Sequence, residues 1–222
     1  MSSITFTARK LAAPESLASQ CAVVPVFARK KLSAAARSAD AASGGAVTDA
    51  LALGDFSGKT GETALLPGAG KSRRLLLLGC GAQAKFDRDS GRKVIAALSQ
   101  ALNGTQAKEA SLYLADLPLQ GDDFRWFLEQ LARGLSTAAY RYTQTLSKPN
   151  PPLKLGRVQV DTGDRLPARR AQATLEQGRC TGEGVNLARE LANLPGNICT
   201  PDYLASQARK LARDNERLSA KI

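Results

Sequence analysis

The chain has 222 residues, of which 43% are hydrophobic and 23% charged, a balance typical of a globular protein with one core, or one core and part of a second. It has no histidine, and its four cysteines are scattered without a C-x-x-C pair. This excludes a zinc finger, a His-based catalytic triad and an H-E-x-x-H metalloprotease site.

The net charge and the length of the apolar runs limit the partners and the location that we expect for the protein. There are 31 Lys and Arg against 20 acids, a formal net charge of +11, which favours association with polyanions and does not bear on the fold. No apolar run approaches the roughly 20 residues that a membrane-spanning helix needs. The first residues lack the charged start and apolar stretch of a signal peptide. We therefore expect a cytoplasmic protein without a membrane partner.

The first quarter of the chain predicts two strands and a helix. Ile4 and Phe6 alternate with threonines, as in a half-buried strand. Cys21–Phe27 is a mostly apolar run of strand length, in which Pro25 predicts an edge strand or a bulge. The Ala-rich stretch Leu32–Leu53 has apolar residues at helical spacing near its end and predicts a helix.

The middle of the chain alternates strands and helices. Asp55–Glu62 predicts a turn, because Gly, Ser and Asp supply unusual backbone angles. Thr63–Leu66 and Arg73–Leu78 predict strands, the second apolar throughout and therefore central. Ser90 is placed to cap a helix whose apolar face ends near Leu102. The elements expected next are a strand over Ser111–Leu117 and a helix that begins at Asp122.

The last third contains a chain break, a strand and two helices. The prolines of Pro149–Pro152 interrupt the chain, and Leu155–Val160 predicts a further strand. Ala168–Asn193 predicts a long helix despite three glycines. Thr200 and Pro201 predict the cap and first position of a last helix to about residue 212. Strands alternating with helices predict an α/β fold with a parallel or mixed sheet.

Two glycine motifs invite a nucleotide interpretation. Gly79–Ala84 fits G-x-G-x-x-A after a strand, but the expected helix starts near Ser90, and Asp116 lies too far along to bind a ribose. A structural turn is favoured, with a nucleotide site as the alternative. Gly70–Ser72 resembles the end of a P-loop, but Leu65 occupies the place of its first glycine, and a hairpin turn is predicted.

Residues Ala188–Ala205 closely resemble the opening of the catalytic domain in leucyl aminopeptidases. That family has an Arg-acid-Leu-x-Asn-x-Pro-Pro-Asn-x-x-x-Pro-x-x-Leu-Ala pattern here, and this chain departs from it at Gly196, where a second proline is usual. Weaker matches occur earlier, in the family's Asp-Phe-x-Gly-Lys turn, its Gly-Cys-Gly segment and its Glu-Gly-to-Tyr-Arg-Phe segment. They lie at Asp55–Lys59, Gly79–Gly81 and Gly134–Tyr142.

The resemblance implies a two-domain enzyme that releases amino-terminal residues from peptides, leucine preferred. It implies an amino-terminal α/β domain similar to macro domains over residues 1–163. A long linker helix and the truncated start of a second α/β domain, the catalytic peptidase domain, would then occupy residues 164–222. The family's enzymes are homo-hexamers that use two divalent metals, Mn or Zn, and two metals together activate a bridging water.

The residues that hold those metals lie in two later family motifs that do not occur in this chain. A Gly-Lys-Gly…Asp-Ser-Gly-Gly run and an Asn-Thr-Asp-Ala-Glu-Gly-Arg run are both missing. We therefore expect no catalytic, cofactor-binding or metal-binding residue in this chain, and no turnover by it alone. The acids Glu176, Glu183, Glu190 and Asp202 are interpreted as solvated or capping residues. We expect the chain itself to be a monomer or a weak dimer.

Two further functions stay open. The resemblance extends to dual-role bacterial aminopeptidases that also contact DNA, and basic clusters on one face would support such contact. They are Arg29–Lys31; Lys71, Arg73 and Arg74; and Lys85, Arg88, Arg92 and Lys93. An ADP-ribose-like ligand near Gly79–Ala84 is the other alternative, by analogy with macro domains.

Overall fold

The computed structural model describes residues 3–151 and 153–221, whose strands form a mixed sheet. The strands are β1 Thr5–Arg9, β2 Ala22–Phe27, β3 Lys31–Leu32, β4 Thr63–Pro67, β5 Arg74–Gly79, β6 Glu109–Tyr113 and β7 Arg157–Asp161. The helices are α1 Ala34–Ala42, α2 Ala46–Leu53, α3 Arg88–Asn103, α4 Gly121–Ala138, α5 Ala168–Asn193 and α6 Pro201–Arg213. The predicted α/β class is confirmed.

The strands pair in the order β1-β7-β6-β2-β5-β4, with the short β3 beside the end of β2. Pairing is parallel from β1 through to β5, and β4 and β3 each pair antiparallel with their neighbour. The antiparallel β4 and β5 are joined by the turn that contains Lys71, which confirms the predicted hairpin. Since the parallel strands share one direction, their carboxyl ends meet along one edge of the sheet.

The prediction that Pro25 marks an edge strand or a bulge is wrong. β2 lies between β5 and β6, and all six of its residues are buried. Pairing with β6 reaches only Val23, and pairing with β3 begins at Val26. The Cys80 N–H donates to the Val26 carbonyl, so Val26 directs its backbone groups toward β5. Successive residues of a strand direct these groups to opposite sides, and the Pro25 nitrogen therefore points into the gap between β6 and β3. A proline without an N–H is therefore tolerated in this central strand.

Two apolar cores lie on the two faces of the sheet. One contains residues of α3, α4 and the first half of α5, among them Leu98, Phe127 and Leu175. The other contains residues of α1 and α2, among them Ala39 and Val47. The connection from β2 therefore leaves toward one face, and those from β5 and β6 leave toward the other.

Several element boundaries differ from the prediction for identifiable reasons. The single helix predicted over Leu32–Leu53 is divided into α1 and α2, because Gly44 and Gly45 adopt φ values of 69° and 94°. The cap of α3 is Asp87 and not Ser90, whose N–H donates to the Asp87 carboxylate at 2.8 Å. The predicted long helix and the Thr200 cap of α6 are confirmed.

Glycines let α5 approach α4 closely. A Cβ atom at Gly178 would lie well inside van der Waals contact of the Glu129 carbonyl oxygen. One at Gly182 would lie 2.7 Å from Cβ of Ser136. These glycines lower the helix propensity of α5 and are required by packing, whereas a Cβ atom at Gly184 would meet nothing within 4 Å.

The described residues separate into two compact units. One contains the residues up to Tyr140 and the segment that ends at Glu183; the other contains Arg141–Pro151 and the residues from Gly184 onward. The first unit holds the sheet and both cores. The division predicted at residue 163 stays a prediction. None of the helices in the described ranges is both long and apolar enough to cross a membrane.

Replacing Gly178 with Ala is expected to destabilise the chain by about 2 kcal/mol, because the added methyl group overpacks the α4 contact by more than the gain in helix propensity. Gly184→Ala is the matched control in the same helix and is expected to raise stability by up to ~1 kcal/mol. Urea denaturation followed by circular dichroism measures both. Equal stability of the two variants would contradict the close helix contact.

Candidate functional site

Three loops meet at the carboxyl ends of β2 and β5. The Ala28 N–H donates to the Gly81 carbonyl at 2.9 Å, and the Gly81 N–H donates to the Gly58 carbonyl at 2.8 Å. A backbone hydrogen bond therefore joins two of the three early segments that carry the family resemblance. We call these the carboxyl-edge loops: residues 28–31, 55–62 and 79–85.

The glycines of the Gly79–Ala84 motif are explained by this packing. A Cβ atom at Gly79 would collide with the Lys59 carbonyl oxygen, and one at Gly81, where φ is 71°, would collide with the Thr60 hydroxyl. In a dinucleotide site such glycines leave room for a pyrophosphate. Here the 58–62 turn occupies that room. The geometry supports the structural interpretation of the motif.

Glu62 holds the 55–62 turn in shape. Its Oε2 accepts hydrogen bonds from the Ser57 N–H and hydroxyl, both at 2.9 Å, and from the Lys59 N–H at 3.1 Å. Partial burial disfavours the charged form, but the bonds from Ser57 and Lys59 outweigh it and lower the pKa of Glu62. The ionised carboxylate therefore stabilises the turn at neutral pH.

The carboxyl-edge loops present five exposed cations. Arg29 and Lys30 have positive φ values of 62° and 59° and form the tip of the β2–β3 hairpin. None of the five forms an ion pair with another described residue. They are Arg29, Lys30, Lys31, Lys59 and Lys85, named here the basic patch.

The other predicted basic clusters lie elsewhere or are paired. Lys71 and Arg73 precede β5 and so lie at the amino edge of the parallel strands. A strand of six residues separates that edge from the basic patch by roughly 20 Å. A single face containing all the clusters therefore does not form.

Arg88 and Arg92 are engaged within the protein. Arg88 pairs with Asp123 at 2.7 Å, and Arg92 pairs with Asp89 at 2.5 Å. Both guanidinium groups also lie over the ring of Trp126, at 5.3 and 5.1 Å from its centroid. These cations stabilise the α3–α4 contact and are less available to an external anion.

A crevice of about 290 Å³ opens where the connections from β2 and β6 diverge to opposite faces. In open α/β sheets such a switch point is the usual place for a ligand. Here the first turn of α1 is already satisfied. Asp116 accepts from the Ala34 N–H at 2.6 Å, and the Ser33 hydroxyl accepts from the Ala36 N–H at 3.0 Å. The carboxylate stands where an anionic ligand would bind, which disfavours a pyrophosphate such as that of ADP-ribose.

The remaining polar groups of the crevice are also bonded internally. The Tyr113 hydroxyl donates to the Ala12 carbonyl at 2.8 Å. Burial, followed by the charge of Asp161, raises the pKa of Tyr113, so the phenol stays neutral. Sequence reasoning did not identify this crevice. The sequence signal that could have found it is an acid near the end of each of two parallel strands: Asp116 shortly after β6 and Asp161 at the end of β7.

Of the four acids interpreted as solvated or capping residues, three bond to another side chain and the fourth lies in the first turn of a helix. Arg179 pairs with Glu176 at 2.5 Å and also with Glu183. The hydrogen bond from Arg179 lowers the pKa of Glu176. Glu190 accepts from a glutamine side chain at 2.6 Å, and Asp202 lies in the first turn of α6, where the helix dipole favours an acid.

The acid and cysteine side chains of the described residues do not cluster as a two-metal site would require. Within residues 3–151 and 153–221, no three side chains among Cys, Asp and Glu lie together in an arrangement that could hold a metal ion. No step of a metal-dependent reaction is therefore assigned to these residues.

Sequence comparison gives concordant matches. The sequence model of the cytosol aminopeptidase family, N-terminal domain, matches residues 23–149. A probable cytosol aminopeptidase of Alkalilimnicola ehrlichii is 41% identical over 207 residues, which are 92% of this chain and 42% of the relative. One of Halorhodospira halophila is 40% identical over 205 residues, 91% of this chain and 41% of the relative. The chain thus spans about two-fifths of the length of these relatives.

Solved structures share the fold. A mutant of tomato leucine aminopeptidase matches 95% of this chain and 42% of its own with a TM-score of 0.77 and 23% identity. The bottromycin maturation enzyme BotP in complex with Mn matches 89% of this chain and 37% of its own, with a TM-score of 0.63 and 24% identity. At these identities the likeness establishes the fold.

Replacing Glu62 with Gln is expected to destabilise the chain by about 1–2 kcal/mol at pH 7, because three hydrogen bonds lose their charged acceptor. The folded pKa of Glu62 is lowered, so its contribution is present above the unfolded value of about 4.3 and is lost as the pH falls through the folded value. The difference between the variant and the original chain should therefore shrink at about pH 3.

Urea denaturation at both pH values measures this difference. Glu216→Gln, at an exposed acid, is the control and is expected to change stability by less than about 0.5 kcal/mol. A Glu62→Gln effect that is the same at both pH values would contradict the role of the ionised carboxylate.

Proposed function

The chain belongs to the cytosol aminopeptidase family, and we propose that it is the amino-terminal, non-catalytic part of a metal-dependent leucyl aminopeptidase that releases amino-terminal residues from peptides. The observation that supports this most is the match of the family's N-terminal domain over residues 23–149. The resemblance of Ala188–Ala205 to the opening of the catalytic domain supports continuation into such a domain.

The metal chemistry of the proposed enzyme belongs to the part of the relatives that this chain does not match. Two divalent metals, Mn or Zn, would be held there by carboxylates and a lysine amine. BotP, a structural neighbour, is described in complex with Mn. We propose the same dependence on divalent metal here, together with a peptide substrate, a cytoplasmic location and assembly as a homo-hexamer with the protein's own catalytic domain.

The amino-terminal unit is suited to a scaffolding role in such an enzyme. Its cores are closed by apolar packing on both faces of the sheet, and the N–H donor of Ala34 beside the crevice is bonded to the protein's own Asp116 carboxylate. A domain with closed cores can hold a catalytic domain in position and shape access to it.

A chimera tests the assignment. Residues 1–222 are joined to the part of the Alkalilimnicola ehrlichii relative that this chain does not match. We expect hydrolysis of leucine p-nitroanilide that requires added manganese or zinc and is abolished by a chelator, because the catalytic residues come from the relative and the amino-terminal unit is interchangeable.

The 222-residue chain alone, at the same concentration and with the same metals, is the control and should show no turnover above buffer. Chelator-sensitive turnover that co-elutes with the chain alone would contradict the proposal and place the active site within it. A folded, soluble chimera without activity would contradict the interchangeability of the domains.

A second candidate function is sequence-independent contact with duplex DNA through the basic patch. The patch supports this proposal because its five cations are exposed and lack ion-pair partners among the described residues. The aromatic residues of the adjoining segments, Phe27, Phe56 and Phe86, are buried, so base stacking on single strands is not favoured.

Titration of a fluorescent DNA duplex at increasing salt tests the candidate. Replacing Lys30, Lys31 and Lys59 with Gln should reduce the slope of log affinity against log salt by about 0.9 for each phosphate that the variant no longer neutralises. The control replaces Lys71, Arg73 and Lys108 at the amino edge and removes the same charge. Equal effects of the two triple variants, or only flat, weak binding at physiological salt, would reject DNA binding through the patch.

A further inference from the structure

The outer side of β4 is a sheet edge without a neighbouring strand among the described residues. β4 is the last strand in the sheet order and pairs only with β5 among the described strands. Its five residues, Thr63–Pro67, carry no charge, and Leu65 at the centre is 51% exposed. Monomeric proteins blunt edge strands with charges, prolines, bulges or a short length. β4 is short and ends in a proline, but it has no charged side chain. The absence of a charge here requires an explanation.

The direction of the backbone groups follows from the ladder with β5. The Gly79 N–H donates to the Glu62 carbonyl at 2.8 Å, and these two residues lie opposite each other in the register of the two strands. Hydrogen-bonded pairs alternate along an antiparallel ladder. Ala64 and Leu66 therefore bond with β5, and the residues between them turn their backbone groups outward.

The outward groups form a short, regular row. Thr63 and Leu65 each turn one N–H and one C=O away from the sheet, and Pro67 turns outward only a C=O. Proline at an outward position is typical of a sheet edge, because no N–H is missing from the ladder. No backbone or side-chain partner for the outward N–H groups occurs within residues 3–151 and 153–221.

We propose that β4 pairs antiparallel with β4 of a second copy of this chain, about a two-fold axis through Leu65. In this register each Leu65 N–H donates to the Leu65 carbonyl of the other copy, and each Thr63 N–H donates to the Pro67 carbonyl of the other copy. Because Pro67 has no N–H, this pairing leaves no buried N–H without an acceptor. The row of outward groups is thus complementary to itself, as a two-fold interface requires.

The side chains agree with a second copy as the occupant. In a hydrogen-bonded antiparallel pair the two central residues lie on the same face, about 5.5 Å apart at Cα. The two half-exposed Leu65 side chains would cover each other, with no like charges opposed along the strand.

The size of the interface sets its strength. A five-residue strand pair buries less than the roughly 1,600 Å² of a standard stable interface. The dimer of this chain is therefore weak and forms as the protein concentration rises. This pairing does not depend on the peptidase assignment, and its test uses no activity.

Sedimentation equilibrium from low micromolar to several hundred micromolar protein measures the association. Leu65→Lys and Leu65→Glu each place like charges opposite each other across the axis, and each should weaken dimerisation about tenfold or more. An equimolar mixture of the two variants should restore it, because Lys then faces Glu. Leu53→Lys, at a leucine that is 77% exposed and lies outside β4, is the control and should dimerise like the original chain.

Amide hydrogen exchange identifies the interface as strand pairing. The Leu65 and Thr63 amides should exchange rapidly in dilute protein and slow down at high concentration, whereas the Ala64 amide is protected in both by β5. Dimerisation that persists unchanged in both Leu65 variants, or a Leu65 amide whose exchange does not respond to concentration, would overturn the proposal. So would a chain that stays monomeric throughout, which would leave this edge to an extended segment of a different protein.

Discussion

Burial of β2 on both of its faces is the constraint from which the architecture follows. All six residues of β2 are buried, with β5 on one side and β6 and β3 on the other. A strand without a solvent-facing side needs helices over both faces, so the chain must leave the carboxyl ends of neighbouring strands in opposite directions. That divergence produces the crevice beside Asp116 and brings the carboxyl-edge loops together. The internal contacts of Asp116 and Glu62 show that the protein uses both features for its own stability.

Close backbone approach explains residues that would otherwise suggest function. Gly79 and Gly81 match a phosphate-binding pattern, but the 58–62 turn packs where a phosphate would bind. Gly178 and Gly182 weaken a long helix in isolation and are needed where α5 meets α4. In both cases a missing side chain makes room for protein and not for a ligand. A glycine motif becomes evidence for a ligand only when the space above it is open.

The sequence predicted individual helices and strands better than it predicted which of them lie side by side. Hydrophobic period and capping residues identified the strands near Phe6 and Leu76 and the helix that Thr200 caps, because these signals are local. The central place of β2 was not predictable from Pro25, since it depends on where the pairing of two other strands stops. The same limit applies to the crevice, because no spacing rule brings Asp116, from the end of one strand, to the first turn of a helix more than eighty residues earlier. The family resemblance rested on motifs, two of which proved to be parts of one bonded cluster.

Topology, and not composition, decides what a net charge of +11 can do. The parallel sheet directs Lys71 and the basic patch to opposite edges, and acids of α4 and α3 pair with Arg88 and Arg92. Cations so distributed keep copies of the chain apart over most of the surface, since like charges repel. β4 is a neutral stretch on this basic protein with unpaired backbone groups along it. When two copies approach each other, the cations on the rest of the surface repel. Backbone hydrogen bonds between the copies can therefore form at this edge.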